Sequence, residues 1–205
     1  QFDPEDVSFI PRAFSVSHIN LTHRNWTAVG VPNCNALPIV DPRGLVTPFL
    51  DGWSLDTWIL TDEGTWLLPS VCTDVRQSLQ LDEETLRVTT RSSHSDLVME
   101  SDVSAATDLE GPFCRLSCRA RTGARGWLVL GLRPCNPEGV SLIHDLKLAD
   151  DGKHWTVNGK RSVDFSARAD RHAVSSYRQG DVRQQLPEGD FDTRAHHDDV
   201  GMLTA

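Results

Sequence analysis

The sequence predicts an all-β protein built as a two-layer antiparallel β-sandwich, and three observations carry that reading. Wherever a hydropathy pattern is legible its period is two. No run of about ten residues shows a capped 3.6-residue period. Turn signals separate the apolar runs at short intervals, as in two packed sheets, with a closed barrel as the alternative.

The elements follow in chain order. Asp41 to Pro69 places Trp53, Trp58 and Trp66 and a row of acids in a stretch broken by Gly, Pro and Asp-Gly turns. Leu79 and Leu81, the turn-like Asp82-Glu83-Glu84, then Leu86 and Val88 read as a hairpin with one apolar face. A strand over Asp96 to Val103 comes next. In Phe113 to Arg121, Cys114, Leu116, Cys118 and Ala120 share one face and Arg115, Ser117, Arg119 and Arg121 the other, which predicts a half-buried strand. Trp127 to Leu132 is apolar on both faces, the pattern of a central strand covered by two layers. Arg133 to Gly139 carries two prolines and reads as a rigid loop. Val140, Leu142, His144, Leu146 and Leu148 share a face, and Asp150-Asp151-Gly152 turns the chain into His154 to Val157. Asn158-Gly159 is the strongest two-residue hairpin signal, with Val163 and Phe165 on the returning strand.

After Tyr177 the chain turns polar, so residues 1–180 are assigned to the sandwich and residues 181–205 to an acidic linker toward a further domain. The ends, Gln1 and Ala205, are expected to be cut points in something longer.

Composition excludes several classes. A formal net charge of -9 argues against a nucleic-acid partner, since such proteins gather Lys and Arg on one face. No apolar stretch approaches the ~20 residues of a membrane span, and no leader is visible. Five cysteines, with no Cys-x-x-Cys pair, suggest free thiols in a reducing, cytoplasmic setting rather than a disulfide scaffold or zinc site. The triplets Asn20-Leu-Thr22 and Asn25-Trp-Thr27 are glycosylation sequons that matter only in a secreted protein. His196-His197-Asp198-Asp199 holds metal-ligand types, but neighbours on an extended chain point to opposite sides, so a solvated linker is expected and no metal or cofactor is assigned. Nucleophile-elbow, phosphate-loop and dinucleotide motifs are absent.

Carbohydrate is the chemistry the Trp-rich stretch suggests. An indole face covers the apolar side of a sugar ring, and a nearby carboxylate accepts from two hydroxyls. Trp53, following the Asp51-Gly52 turn, is the candidate exposed ring, flanked by Asp51 and Asp56 as acceptors, whereas Trp58 and Trp66 are expected to pack. Asn136 and Glu138, mounted on the proline-stiffened loop, complete the candidate sugar site. A catalytic carboxylate pair would have to come from Asp41, Asp51, Asp56 and Glu63, and nothing in the spacing assembles one. No catalytic residue is therefore assigned.

Gly30-Val-Pro-Asn-Cys-Asn35, Asp41-Pro-Arg-Gly44, Asp51-Gly-Trp53, Arg133-Pro-x-Asn-Pro-Glu-Gly139 and the late hairpin together resemble the N-terminal β-sandwich domain of bacterial glycogen-debranching and glucoamylase-like glycosidases. The resemblance runs from about Gly30 to Tyr177. It implies a super-sandwich-like fold preceding an (α/α)₆ toroid that holds the catalytic carboxylates. This chain would then be a non-catalytic accessory domain, packing on that toroid and contacting α-glucan weakly. An independent carbohydrate-binding module, a β-sandwich protein-interaction domain and a small stand-alone hydrolase are the alternatives, and exposure of the three tryptophans discriminates among them.

Overall fold

The computed structural model describes residues 26–49, 52–81, 85–136, 139–186 and 191–205. Both sequons begin outside that range, at Asn20 and Asn25. The strands, in chain order, are β1 (Thr27–Ala28), β2 (Ile39–Val40), β3 (Val46–Thr47), β4 (Ser54–Thr61), β5 (Trp66–Leu67), β6 (Asp74–Leu81), β7 (Leu86–His94), β8 (Leu97–Asp108), β9 (Gly111–Arg121), β10 (Gly126–Arg133), β11 (Cys135–Asn136), β12 (Gly139–Val140), β13 (Asp145–Leu148), β14 (His154–Val157), β15 (Arg161–Asp164) and β16 (Ala195–His197). One short helix, α1 (Val182–Gln185), precedes β16.

The chain is all-β, with antiparallel sheets and no closed barrel. The first sheet has the order β1-β2-β3-β4-β10, and β5 pairs with part of β4. The second is the meander β6-β7-β8-β9, the third has the order β15-β14-β13-β16, and β11-β12 is a small ribbon. In β8 the period of two runs from Leu97 to Ala106: Leu97, Met99, Ser101, Val103 and Ala105 are buried while Val98, Glu100, Asp102, Ser104 and Ala106 are half-buried. The alternation expected for Phe113 to Arg121 appears in β9 from Cys114 to Arg119, whereas Ala120, expected on the inner face, is exposed, and Leu81 pairs with Leu86 across the expected hairpin. At Asn158-Gly159 the φ angles are 51° and 64°, and the Lys160 N–H donates to the Val157 carbonyl at 3.3 Å. Both residues sit in the left-handed region that a primed hairpin turn demands.

One core joins the three large sheets. Val40, Val46 and Leu55 meet Val88 and Val103 of the second sheet and Leu146 and Trp155 of the third. A second cluster packs Ile59 and Leu67 on Leu97 and Met99. On the opposite face of β4, Trp58 packs with Leu68, Ala173 and Val182. Both faces of β4 are thus covered, and all eight of its residues are buried.

Four expectations are corrected. The central strand of the first sheet is β4, whereas β10 stands at that sheet's edge. Leu79 and Leu81 are exposed, because β6 is the outermost strand of the meander and the core does not extend beneath it. Val140 and Leu142 are exposed while Ile143 is fully buried, because Val140 belongs to the small β11-β12 ribbon and residues 141–144 form no strand but a single parallel bridge from Ile143 to Met202. The described residues of 181–205 pack into the fold: β16 pairs with β13, and Met202, Leu203 and Ala205 are buried.

Candidate functional site

Of the predicted sugar-binding residues the structure describes three: Trp53 and Asp56 are buried and Asn136 is half-buried. Trp53 is only 4% exposed, and its ring meets Phe49 edge-on at 5.1 Å within the main core. Its burial has a local cause and a distant one. The Gly52 N–H donates to the Phe49 carbonyl at 2.9 Å, closing the turn, and the Asn136 Nδ2 donates to the Gly52 carbonyl at 2.9 Å. That pair of bonds pins the turn against the β11 ribbon and directs the indole inward. A side chain at Gly52 would collide with the Phe49 ring, so the turn depends on this glycine.

Asn136 is therefore structural: its Oδ1 also accepts the Gly139 N–H at 3.1 Å. Asp56 is buried, and desolvation pushes its carboxyl up to about 6, against the pull of Trp58, Arg133 and the Thr57 N–H. Asp51 and Glu138 lie outside the described residues. Trp58 is fully buried and Trp66 half-buried, their rings edge-on at 6.2 Å.

Of the carboxylates considered for catalysis, Asp41 is committed to the backbone and Asp51 lies outside the described residues. The Asp41 Oδ1 accepts the N–H groups of Arg43 and Leu45 at 2.8 and 2.9 Å, which builds the β2–β3 turn. Arg43 then reaches the carbonyls of Pro69 and Cys72, so the Asp41-Pro-Arg-Gly44 run is a structural clasp. Glu63 is exposed.

Two polar centres went unseen in the sequence. Arg133, at the end of β10, forms a bidentate ion pair with Asp181 at 2.7 and 2.5 Å, and both side chains are fully desolvated. Burial works against the guanidinium's charge, and the Asp181 carboxylate more than restores it. Asp181 also accepts the Arg183 N–H at 3.1 Å as the N-cap of α1. His172, buried beside Trp155, accepts the indole N–H on Nε2 at 2.8 Å and contacts the Thr193 carbonyl through Nδ1 at 2.6 Å. That arrangement requires the neutral Nδ1–H tautomer, and burial lowers its pKa. The partners are 48 and 17 residues apart in sequence. No local signal announces them.

A large concavity lies elsewhere, between the edge strands β9 and β10, as a cleft of about 1360 Å³. Leu55, Cys114, Leu116, Leu130, Phe165 and Phe191 are among its walls, with Asp108, Glu110 and Arg168 contributing charge. Arg171 stacks between Trp127 at 4.3 Å and Phe191 at 4.8 Å, covering one face of the indole. Burial pushes the thiols of Cys114 and Cys118 up to about 12, so neither is a nucleophile at neutral pH. Neither Asp41, Asp56 nor Glu63 lines this cleft. What the cleft offers is apolar surface and strand edge beside charged side chains such as Asp108, Lys160 and Arg168.

At the surface, His197 bonds Asp145 at 2.7 Å and Asp199 at 3.2 Å; the hydrogen bonds to these two carboxylates raise its pKa. The His197–Asp145 pair clips β16 to β13. Among the described residues no group of three His, Cys, Asp or Glu is placed to hold a metal, and no helix is long and apolar enough to cross a membrane. Compared with known families, curated proteins and solved structures, the chain matches none.

Proposed function

We propose that this chain is a non-catalytic N-terminal accessory domain of a cytoplasmic, α-glucan-acting glycoside hydrolase, packing against a catalytic (α/α)₆ domain of the same polypeptide. The observation that carries the docking role is the burial of Trp53 and Trp58 beside an open apolar cleft. A carbohydrate-binding module needs exposed, coplanar rings. Here the Trp53–Phe49 and Trp58–Trp66 pairs stand at 84° and 72°, inside the protein. Tryptophans spent on the framework, with an apolar surface left open, favour a domain whose partner is protein. The glycosidase context rests on the motif resemblance. The same burial favours, as the second reading, a β-sandwich interaction domain with another protein partner.

The test is titration of the 205-residue chain with maltooligosaccharides, followed by intrinsic tryptophan fluorescence and assayed for glucose release. The expected result is no saturable change at millimolar sugar and no hydrolysis. A saturable change would replace the docking role with an independent sugar site, and hydrolysis would make the chain an enzyme in its own right.

A further inference from the structure

Of the six asparagines in the sequence, Asn158 is the one followed by glycine. Its amide is bonded at both ends. The Nδ2 donates to the Leu142 carbonyl at 2.9 Å, and the Oδ1 accepts the N–H groups of His144 and Asp145 at 2.8 and 3.1 Å. The Asn158 N–H adds a bond to the Asp145 carbonyl at 2.8 Å. One residue of the β14–β15 turn thus holds residues 142–145, which enter a strand only at Asp145.

The other side of that segment carries residues 198–203. The Ile143 N–H donates to the Gly201 carbonyl at 2.7 Å, and the Leu203 N–H donates to the Ile143 carbonyl at 3.2 Å. The Asp198 N–H donates to the His144 carbonyl at 2.9 Å. Ile143, Met202 and Leu203 are all buried. Residues 142–145 are therefore gripped from two sides, by the Asn158 amide and by the 198–203 segment.

An Asn-Gly peptide carries its own nucleophile. With no side chain on the following residue, its backbone nitrogen can approach the asparagine Cγ, and glycine tolerates the conformations on the way. In the folded turn that approach is withheld. Hydrogen bonds at both ends of the amide hold its plane, and the nitrogen must attack through its face, so the amide has to release its partners first. The hairpin also keeps Asn158 and Gly159 in the left-handed region.

We propose that Asn158 is a site of self-modification that the fold keeps silent: once residues 142–145 let go, the Gly159 nitrogen attacks the Asn158 Cγ and a succinimide forms. The bond made is N–Cγ and the bond broken is Cγ–Nδ2. The side-chain nitrogen leaves as ammonia, taking the Gly159 amide proton. Water then opens the ring, at one carbonyl to aspartate and at the other to isoaspartate. Either product keeps the corner open. Aspartate sets a carboxylate oxygen where Nδ2 met the Leu142 carbonyl, acceptor against acceptor. Isoaspartate adds a methylene to the main chain, which a two-residue turn has no room to absorb. A transient opening becomes a lasting one, and residues 198–203 lose the support behind their seat. The inference is independent of what the domain docks on.

The test is peptide mapping by mass spectrometry of the 205-residue chain in mildly alkaline buffer, folded and in urea. In urea, Asn158 is expected to convert first among the asparagines. In the folded chain its conversion is expected to be slower by about tenfold or more, because only the open fraction reacts. Met202→Ala touches neither residue of the turn but loosens the bridge to Ile143. It is expected to speed conversion several-fold in the folded chain and to leave the rate in urea unchanged. In the isolated isoaspartate form, hydrogen exchange at the Ile143 and Leu203 amides is expected to rise by about tenfold, read by NMR. Equal rates in the folded and the urea-unfolded chain overturn the proposal. So does a Met202→Ala rate equal to that of the parent, since the turn would then open without the segment behind it. An isoaspartate form whose Ile143 and Leu203 amides exchange as in the parent overturns it as well.

Discussion

Asp56 and Arg133 show how differently two buried charges can stand within one sheet. Arg133 has a dedicated partner in Asp181, whereas Asp56 sits in the same field and is held mainly by desolvation. With its folded pKa at about 6 against an ordinary value of 3.8, Asp56 keeps its proton in the folded state after the unfolded chain has released it. Its contribution to stability is therefore full below about pH 4, falls as pH rises toward 6, and stays lost above that. The loss is on the order of 3 kcal/mol. Asp56→Asn is expected to flatten that fall and raise stability at pH 7, read from urea midpoints across the window; an unchanged pH profile would remove Asp56 as the cause. Arg133→Met leaves the Asp181 carboxylate buried without its partner and is expected to cost about 3–5 kcal/mol. Adding Asp181→Asn, which keeps an acceptor for the Arg183 N–H, is expected to recover a large part of that loss in the same assay, through a coupling that independent sites would not show.

At the scale of elements, β4 and β10 fit together where β10 lacks side chains, at Gly126 and Gly131. A methyl group at Gly131 would lie 2.7 Å from the Trp58 ring, a fully buried indole with no room to retreat. Gly131→Ala is expected to lower stability by about 1–3 kcal/mol, seen as a lower Tm with near-UV dichroism from the tryptophans altered. An unchanged Tm would mean that the Trp58 packing is looser than these contacts require. The same pair of strands marks how far the sequence could be read. The 81–86 and 157–160 hairpins were legible because turn chemistry and alternation are local. The period of two in β9 was legible for the same reason. The position of β10 was not, because WLVLGL reads alike whether protein or an open cleft flanks it, and strand order is set by contacts far apart in sequence. The orientation of Trp53 was lost in the same way. The bond that pins its turn comes from Asn136, 84 residues from Gly52, a residue that read as a sugar ligand because the loop gave no sign of what it holds.

The whole molecule closes through residues that composition assigns to a linker. Residues 181–205 are polar on average, but their few apolar side chains are placed where they count: Val182 under Trp58, and Met202 and Leu203 almost without exposure. Burying three such side chains contributes about 1.5–3 kcal/mol each, set against a typical total stability of about 5–15 kcal/mol. The same segment brings Asp181 to Arg133, adds β16 to β13, bridges Met202 to Ile143 and Thr204 to Ser175, and seats Ala205 on Leu132. Without it the Arg133 guanidinium would stay buried with its ion-pair partner gone, the third sheet would lose an edge strand, and the cleft would extend into the core. A chain ending at Gly180 is therefore expected to lose its cooperative thermal transition and the near-UV signal of its packed tryptophans, as measured by circular dichroism. A linker would predict the opposite, a truncated chain with the Tm of the parent, so this one deletion decides whether the residues after Gly180 belong to the folded unit.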